Sequence, residues 1–324
     1  MRIDRRGLAV LGVSMLAAPA IAATTTDTTQ VRLAMDKFAA LPATASGLVS
    51  TQSSGEQWEV AHDPEARMFV GSAVKTFILA ETLREVEAGS LSEEMQRSID
   101  DKVRSLVSPV FANLTGTTPL RSVLEAMIAH SDNSATDAAL AACGVDKVRA
   151  LIRRAGLTHT EIPNSTRQLF CYLAGAPYGV DLGWHRVEAL QNGKLFGAPR
   201  QPLNDLETMA STGREMVRWY QTALTGAYFA KPGTLREFKR ILAMADAIAL
   251  TVPADIAAYG KGGSMDWNGF HCFAFAGQMI ANGAQVTFYF TINWTGEAGG
   301  VQPMSLAYKK AVSEVLSAAK TAMS

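Results

Sequence analysis

Two apolar runs near the end of the chain, residues 270–280 and 285–294, stand on either side of Asn282-Gly283, and this pairing constrains the fold more than any other feature. An Asn-Gly step supplies the two left-handed residues of a tight hairpin turn, so the runs read as antiparallel neighbours. Two further strand-like runs lie near the start, 47–51 and 57–61, joined by Ser53-Ser54-Gly55. They follow a stretch, 28–41, with Val31, Leu33, Ala34 and Phe38 at helical spacing. The middle is mainly helical: 73–88, 120–130, 133–142, 145–155, 214–224 and 234–248 each carry apolar residues three or four apart. Glycines at 89, 144, 156 and 226 suit the ends of these helices, and a last amphipathic helix is expected from about Met304 to Ala322.

Strands at both ends with helices between them imply one sheet assembled from the two ends of the chain. The expected class is α/β (α+β): an antiparallel sheet flanked by helices, plus an inserted all-helical lobe. The α/β lobe spans about 28–66 and 225–324 and the helical lobe about 67–224. With 48% apolar residues in 324 and neither an internal repeat nor a low-complexity linker, residues 23–324 form one folded unit.

Residues 1–22 read as an export signal. Arg2, Arg5 and Arg6 precede an apolar run to Ala20, and Ala20-Ile21-Ala22 offers small residues for cleavage. The paired arginines fit a twin-arginine signal, while Asp4 and the short run leave a general secretory signal open. The run falls short of the ~20 apolar residues of a membrane span, so the expectation is an exported, periplasmic protein with no stable span. Removing the signal leaves 27 basic and 29 acidic residues, a balance that points to no nucleic-acid partner. Cys143, Cys171 and Cys272 are widely separated and lack ligand-like neighbours, so neither a metal nor an organic cofactor is expected. They read as buried apolar groups; a disulfide stays open, and an odd count leaves at least one thiol free.

Three short motifs occur in order: Ser72-Ala73-Val74-Lys75, Ser131-Asp132-Asn133 and Lys261-Gly262-Gly263. Ser72 and Lys75 lie three apart at a helix start, so both side chains leave one face and form a nucleophile and base pair. Burial and a neighbouring cation such as Lys261 lower an amine from its ordinary pKa of ~10.4 into the range of a usable base. The helix start also brings the Ser72 amide to one half of an oxyanion hole. Ser-x-x-Lys alone is a weak signal and recurs as Ser317-Ala318-Ala319-Lys320, which has no partners downstream. Ser131-Asp132-Asn133 falls between two helices and alone reads as an N-cap. In company with Ser72 it lets Ser131 pass a proton to the leaving group while Asn133 holds a substrate amide. Lys261-Gly262-Gly263 precedes the hairpin; alone it reads as a turn. On a strand beside the cleft its glycines let a substrate backbone approach, Lys261 attracts a substrate carboxylate, and the amide of Ser264 completes the oxyanion hole.

The three motifs together resemble the class A serine β-lactamases and related penicillin-binding enzymes, over essentially the whole mature chain. Arg67 and Ser211-Thr212-Gly213-Arg214-Glu215-Met216, similar to a Ser-Thr-Ala-Arg-Asp-Met stretch of the family, carry the likeness further. The resemblance implies catalytic roles for Ser72, Lys75 and Ser131 and substrate-binding roles for Asn133, Lys261, Gly263 and Ser264. The implied partner is a small molecule, a β-lactam or a D-alanyl-D-alanine-like peptide, taken by a monomer.

Two departures stand out. The family's Glu-x-x-Leu-Asn loop, whose glutamate drives deacylation, is absent: Thr166 or its neighbours occupy the glutamate's place, and Leu203-Asn204 has Arg200 in the glutamate slot. Glu161, Asp181 and Glu188 are the nearby acids, each more simply read as solvated. The stretch 168–202 is longer than the family loop, is rich in aromatic and glycine residues, and is expected to remodel the cleft wall. Gly262 also replaces the threonine of Lys-Thr-Gly. Acylation machinery is complete while deacylation and carboxylate recognition are altered. A β-lactamase-type hydrolase is the leading expectation, ahead of a D-alanyl-D-alanine peptidase, amidase or esterase of the same fold, and of a protein that captures β-lactams without turnover.

Overall fold

The computed structural model describes residues 26–323 apart from 54 and 55. The expected export signal, 1–22, lies outside the described residues. In chain order the elements are α1 (Thr29–Ala39), β1 (Thr44–Ser53), β2 (Glu56–His62), β3 (Met68–Phe69), α2 (Lys75–Glu87), β4 (Gln96–Ile99), β5 (Gly116–Pro119), α3 (Leu120–Ala129), α4 (Asn133–Cys143), α5 (Val145–Arg154), α6 (Thr166–Leu173), α7 (Trp184–Val187), β6 (Ala210–Ser211), α8 (Gly213–Ala223), α9 (Pro232–Leu242), α10 (Asp246–Thr251), β7 (Ala257–Trp267), β8 (Phe270–Ala281), β9 (Ala284–Thr295) and α11 (Val301–Ala322).

Five strands form one antiparallel sheet in the order β2-β1-β9-β8-β7. Its register starts at the hairpin: Asn282 and Gly283 both take positive φ, 50° and 82°, and Ala281 faces Ala284 across the turn. β9 lies at the centre, between β1 from the start of the chain and β8 from its end. Helices α1 and α11 cover one face through Val31, Phe38, Val312 and Val315, packed on Phe288 and Phe290. The other face carries Leu48, Ala274, Ala276 and Tyr289 and is continuous with the core of the helical lobe, where Phe77, Leu124, Trp219 and Phe238 are buried together.

Local chemistry sets several helix ends. Asp132 caps α4, Ser165 caps α6, and Thr212 caps α8, each side chain accepting a first-turn amide. Gly144, with φ 86°, separates α4 from α5, and Gly89, Gly156 and Gly226 share that left-handed conformation just beyond helix ends.

The single helix expected over 234–248 is corrected to two. Ala245 adopts extended backbone (φ −61°, ψ 125°), fills the core at 3% exposure, and lays α10 along β7. Neither glycine nor proline marks the break, so tertiary packing overrides a continuous helical pattern. The small ladders β3–β6 and β4–β5 and the helices α6 and α7 are additions to the expected set. Stretch 168–202 supplies most of α6 and all of α7, and builds its own small core from Phe170, Cys171, Ala176 and Val187 against Leu106 and Trp267. Trp267 Nε1 donates to Arg200 O at 3.2 Å, which fastens this stretch to the end of β7. All three cysteines are buried and free, and no helix among the described residues is long and apolar enough to cross a membrane.

Candidate active site

Ser72 sits on a 3-10 turn, Gly71–Val74, that runs directly into α2 at Lys75. The chain leading into this turn is clamped to the sheet. Asn293 on β9 accepts from Phe69 N at 3.0 Å and donates to Phe69 O at 2.9 Å, while Val70 N donates to Met209 O at 2.8 Å. Asn293 reads from sequence as one more residue of a strand, because its partner is 224 positions away. Leucine at Asn293 keeps the volume and removes both bonds, leaving a buried amide unpaired at a cost of ~1–3 kcal/mol. We expect a correspondingly lower thermal midpoint and slower acylation from a nucleophile turn that is no longer held; unchanged midpoint and rate would show that the clamp is not needed.

Lys75 is fully buried, and its amine is held by the second motif. Nζ donates to Ser131 O at 2.6 Å and to Asn133 Oδ1 at 2.7 Å, with Ser131 Oγ at 3.4 Å. Asn133 is fixed in turn by donating from Nδ2 to Leu106 O at 2.8 Å. The direct Ser72–Lys75 bond expected from the spacing is not among the hydrogen bonds of the described residues; the amine points to the Ser131 loop instead. Burial first, and the charge of Lys261 second, hold the Lys75 pKa well below the ordinary lysine value, against the opposing pull of Asp132 and Asp137. A neutral amine has two N–H donors, matched here by Ser131 O and Asn133 Oδ1, and a lone pair left to take a proton.

Ser131 has φ 58°, a left-handed conformation unusual for a side-chain-bearing residue. It is held there because Asp132 is pinned: Oδ1 accepts from Ala135 N at 2.8 Å, and Oδ2 from Val110 N and Phe111 N at 2.9 and 2.8 Å. Asp132 is thus both the helix cap and the anchor of the loop that aims Ser131 and Asn133 at Lys75.

The third motif lies on β7, at the edge of the sheet beside the Ser72 turn. Gly263 makes the approach: a Cβ built there would stand 2.1 Å from Val70 O and 2.9 Å from Ser72 N. Gly71, with φ 52°, meets the same strand from the other side, its built Cβ 3.0 Å from Ser264 O and 3.1 Å from Ser264 N. The backbone of the Gly71–Val74 turn therefore runs close beside the Gly263-Ser264 step of β7. Lys261 is 1% exposed, donates to Gly262 O at 2.8 Å, and shares a cavity with Ser131. Burial lowers its pKa to about 8. The seven residues singled out from sequence thus fall on three adjoining elements: the Ser72 turn with α2, the Ser131 loop with α4, and β7.

On the loop, Thr166 is buried at the start of α6. Its hydroxyl donates to Asp137 Oδ1 at 2.9 Å and lies 2.8 Å from the hydroxyl of Ser105. Asp137, one turn after Asn133 on α4, also accepts from Thr166 N at 2.7 Å and Arg167 N at 3.0 Å. Burial pushes its carboxyl up to about 6. It is the buried acid that the Thr166 side chain contacts, and sequence does not single it out because it stands four residues beyond Ser-Asp-Asn. Glu161 pairs with Arg67 at 2.9 Å and Asp181 with Arg167, so both are engaged in ion pairs. Glu188 is exposed. The second Ser-x-x-Lys lies on α11, with Lys320 paired to Asp255 at 2.6 Å.

A sheet closed by strands from both ends of the chain, with a serine turn, a buried lysine and a Ser-Asp-Asn loop at its edge, defines the serine β-lactamase and penicillin-binding fold. Residues 30–272 match the model of the β-lactamase enzyme family, and the chain belongs to that family. Solved structures agree on the fold. The β-lactamase of Sphaerobacter thermophilus is 17% identical, with a TM-score of 0.69 over 92% of this chain and 97% of that one. A β-lactamase from Xanthomonas campestris is 18% identical, with a TM-score of 0.67 over 92% and 100%. A variant of PBP-A, solved as an acyl-enzyme complex with penicillin G, is 14% identical, with a TM-score of 0.67 over 92% and 99%. No curated protein sequence matches the chain.

Proposed function

We propose that this protein is an exported serine hydrolase that opens β-lactams, or closely related amides or esters, through an acyl-enzyme on Ser72. The observation that carries this reading is the buried Lys75 amine, its pKa depressed, gripped by Ser131 and Asn133 one turn from Ser72. Lys75 takes the proton of the Ser72 hydroxyl as Oγ bonds to the scissile carbonyl carbon. The oxyanion is met by the amides of Ser72 and Ser264. As the C–N or C–O bond breaks, the proton passes from Lys75 through the Ser131 hydroxyl to the leaving nitrogen or oxygen. Water then cleaves the ester, giving the acid and returning the proton to Ser72. Asn133 orients the substrate amide, and the charge of Lys261 adds to burial in favouring the neutral form of Lys75. The partner is a small molecule, and the site works within one chain.

A second reading is favoured by the loop. The family's loop glutamate is absent, with Thr166 or its neighbours in its place, and Asp137 is turned to the amides of α6, so a D-alanyl-D-alanine-type peptidase or esterase that deacylates β-lactams slowly fits the same residues. Mixing residues 23–324 with penicillin and a chromogenic cephalosporin, and following hydrolysis and intact mass together, separates the two. Rapid product with little adduct supports the hydrolase; a long-lived adduct on Ser72 supports the second reading or non-turnover capture; no reaction with either compound sinks the β-lactam assignment.

A further inference from the structure

Asp137 stands one turn beyond Asn133 on α4, and its carboxyl is buried against the start of α6. Oδ1 accepts from Thr166 N and from the Thr166 hydroxyl, and Oδ2 from Arg167 N. An anion suits this place, because the amides of a first helical turn lack carbonyl partners of their own. Thr166 carries the contact onward: its hydroxyl lies 3.4 Å from Asn133 O as well as beside Ser105, whose amide donates to Ser134 Oγ at 2.9 Å.

The residues just after Ser105 hold Asn133 in turn. Leu106 O accepts from Asn133 Nδ2 at 2.8 Å and Val107 O from Asn133 N at 3.2 Å. Asn133 Oδ1 then accepts from the Lys75 amine. Thr166 and Asn133 thus link Asp137 to the base of the proposed reaction. The charges around the two ends can be named. Lys75 is acted on by Lys261 of β7 and, in the opposite sense, by Asp132 and Asp137 of α4. Asp137 faces Arg167, which is paired with Asp181, and lines a small cavity with Lys102 and Asp181; the buried Cys171 thiol of α6 is also near.

We propose that Asp137 is a positioning residue for the Ser72 reaction: its carboxylate locks the first turn of α6 against Ser105 and Asn133, and its negative charge bears on the Lys75 amine. This rests on the acylation of Ser72 proposed above. Its two actions have separate consequences. The hydrogen-bond bridge fixes Asn133 and so the direction of the Lys75 amine. The charge, present above a pH of about 6, favours protonated Lys75 and so offsets part of the effect of Lys261.

The test is the second-order rate of Ser72 acylation by a chromogenic cephalosporin across pH, with Asp137→Asn and Thr166→Val beside the parent. Asp137→Asn keeps an oxygen for Thr166 and removes the charge, so the rise in rate moves to lower pH by about one unit, the usual size of an environmental shift. Loss of the Lys261 charge moves it the other way. Thr166→Val keeps the charge and removes the bridge, so the rise stays in place while the plateau falls by about tenfold, within the ~10²-fold cost of a 1 Å misplacement. A purely structural role for Asp137 lowers the thermal midpoint without any movement along the pH axis. If Asp137→Asn does not fold, Asp137→Ser supplies the same loss of charge in a smaller side chain. A rise that loss of the charge leaves in place or moves to higher pH overturns the proposal, as does a full plateau in Thr166→Val. Those results leave the parent's adduct on Ser72 intact; absence of that adduct overturns the acylation reading and this proposal with it.

Discussion

Lys75→Ala lowers the rate of Ser72 acylation by ~10³-fold, within the range for loss of a positioned general base. The side chain is buried and its amine is held from two sides, so no neighbouring residue replaces it. The pH dependence identifies the role. The base form exists above the folded pKa, so kcat/KM rises with pH through that depressed value and levels off once the amine is neutral. Because the Lys261 charge is one cause of the depression, Lys261→Gln should move the rise to higher pH. Stopped-flow acylation across pH reads both effects; a profile that Lys261→Gln leaves in place would remove the electrostatic link between the two lysines.

Gly263→Ala produces the second large effect, on position rather than charge. The added methyl would lie 2.1 Å from Val70 O, a backbone atom that cannot swing aside. Strand β7 must part from the Ser72 turn. Overpacking of this kind costs ~1–3 kcal/mol, and misplacement by about 1 Å of groups that act in the transition state costs ~10²-fold in rate. We expect a lower thermal midpoint together with a fall in kcat of about that size. Gly299→Ala is the control, since nothing lies within 4 Å of the new methyl there, and it should change neither. Equal behaviour of the two variants would mean that the approach of β7 to the nucleophile turn is not required.

The two variants also mark what the sequence could show. Asn282-Gly283 announced a hairpin because the turn needs those two backbone conformations, and the glycines after α2, α4 and α5 announced helix ends for the same local reason. Ser72, Lys75, Ser131 and Asn133 were legible because their spacing is short and their chemistry specific. Asn293 was not: nothing in an alternating strand reveals that its amide grips Phe69 across the molecule. The break at Ala245 was equally hidden, since the helical pattern continues through it and only packing along β7 explains it. The missing loop glutamate was plain in the sequence, but the burial of Asp137 against Thr166 required the meeting of α4 and α6. Position 262 shows both cases, because the loss of a threonine is written in the chain while the methyl of Ala247 over that glycine is not.

The most direct measurement is peptide-level mass spectrometry of the parent protein and its Ser72→Gly variant after brief exposure to penicillin followed by acid quenching. A mass increase equal to intact penicillin, confined to the peptide that contains Ser72 and absent from Ser72→Gly, is the expected result. Equal labelling of the variant, or an adduct that maps to any other residue, would contradict it.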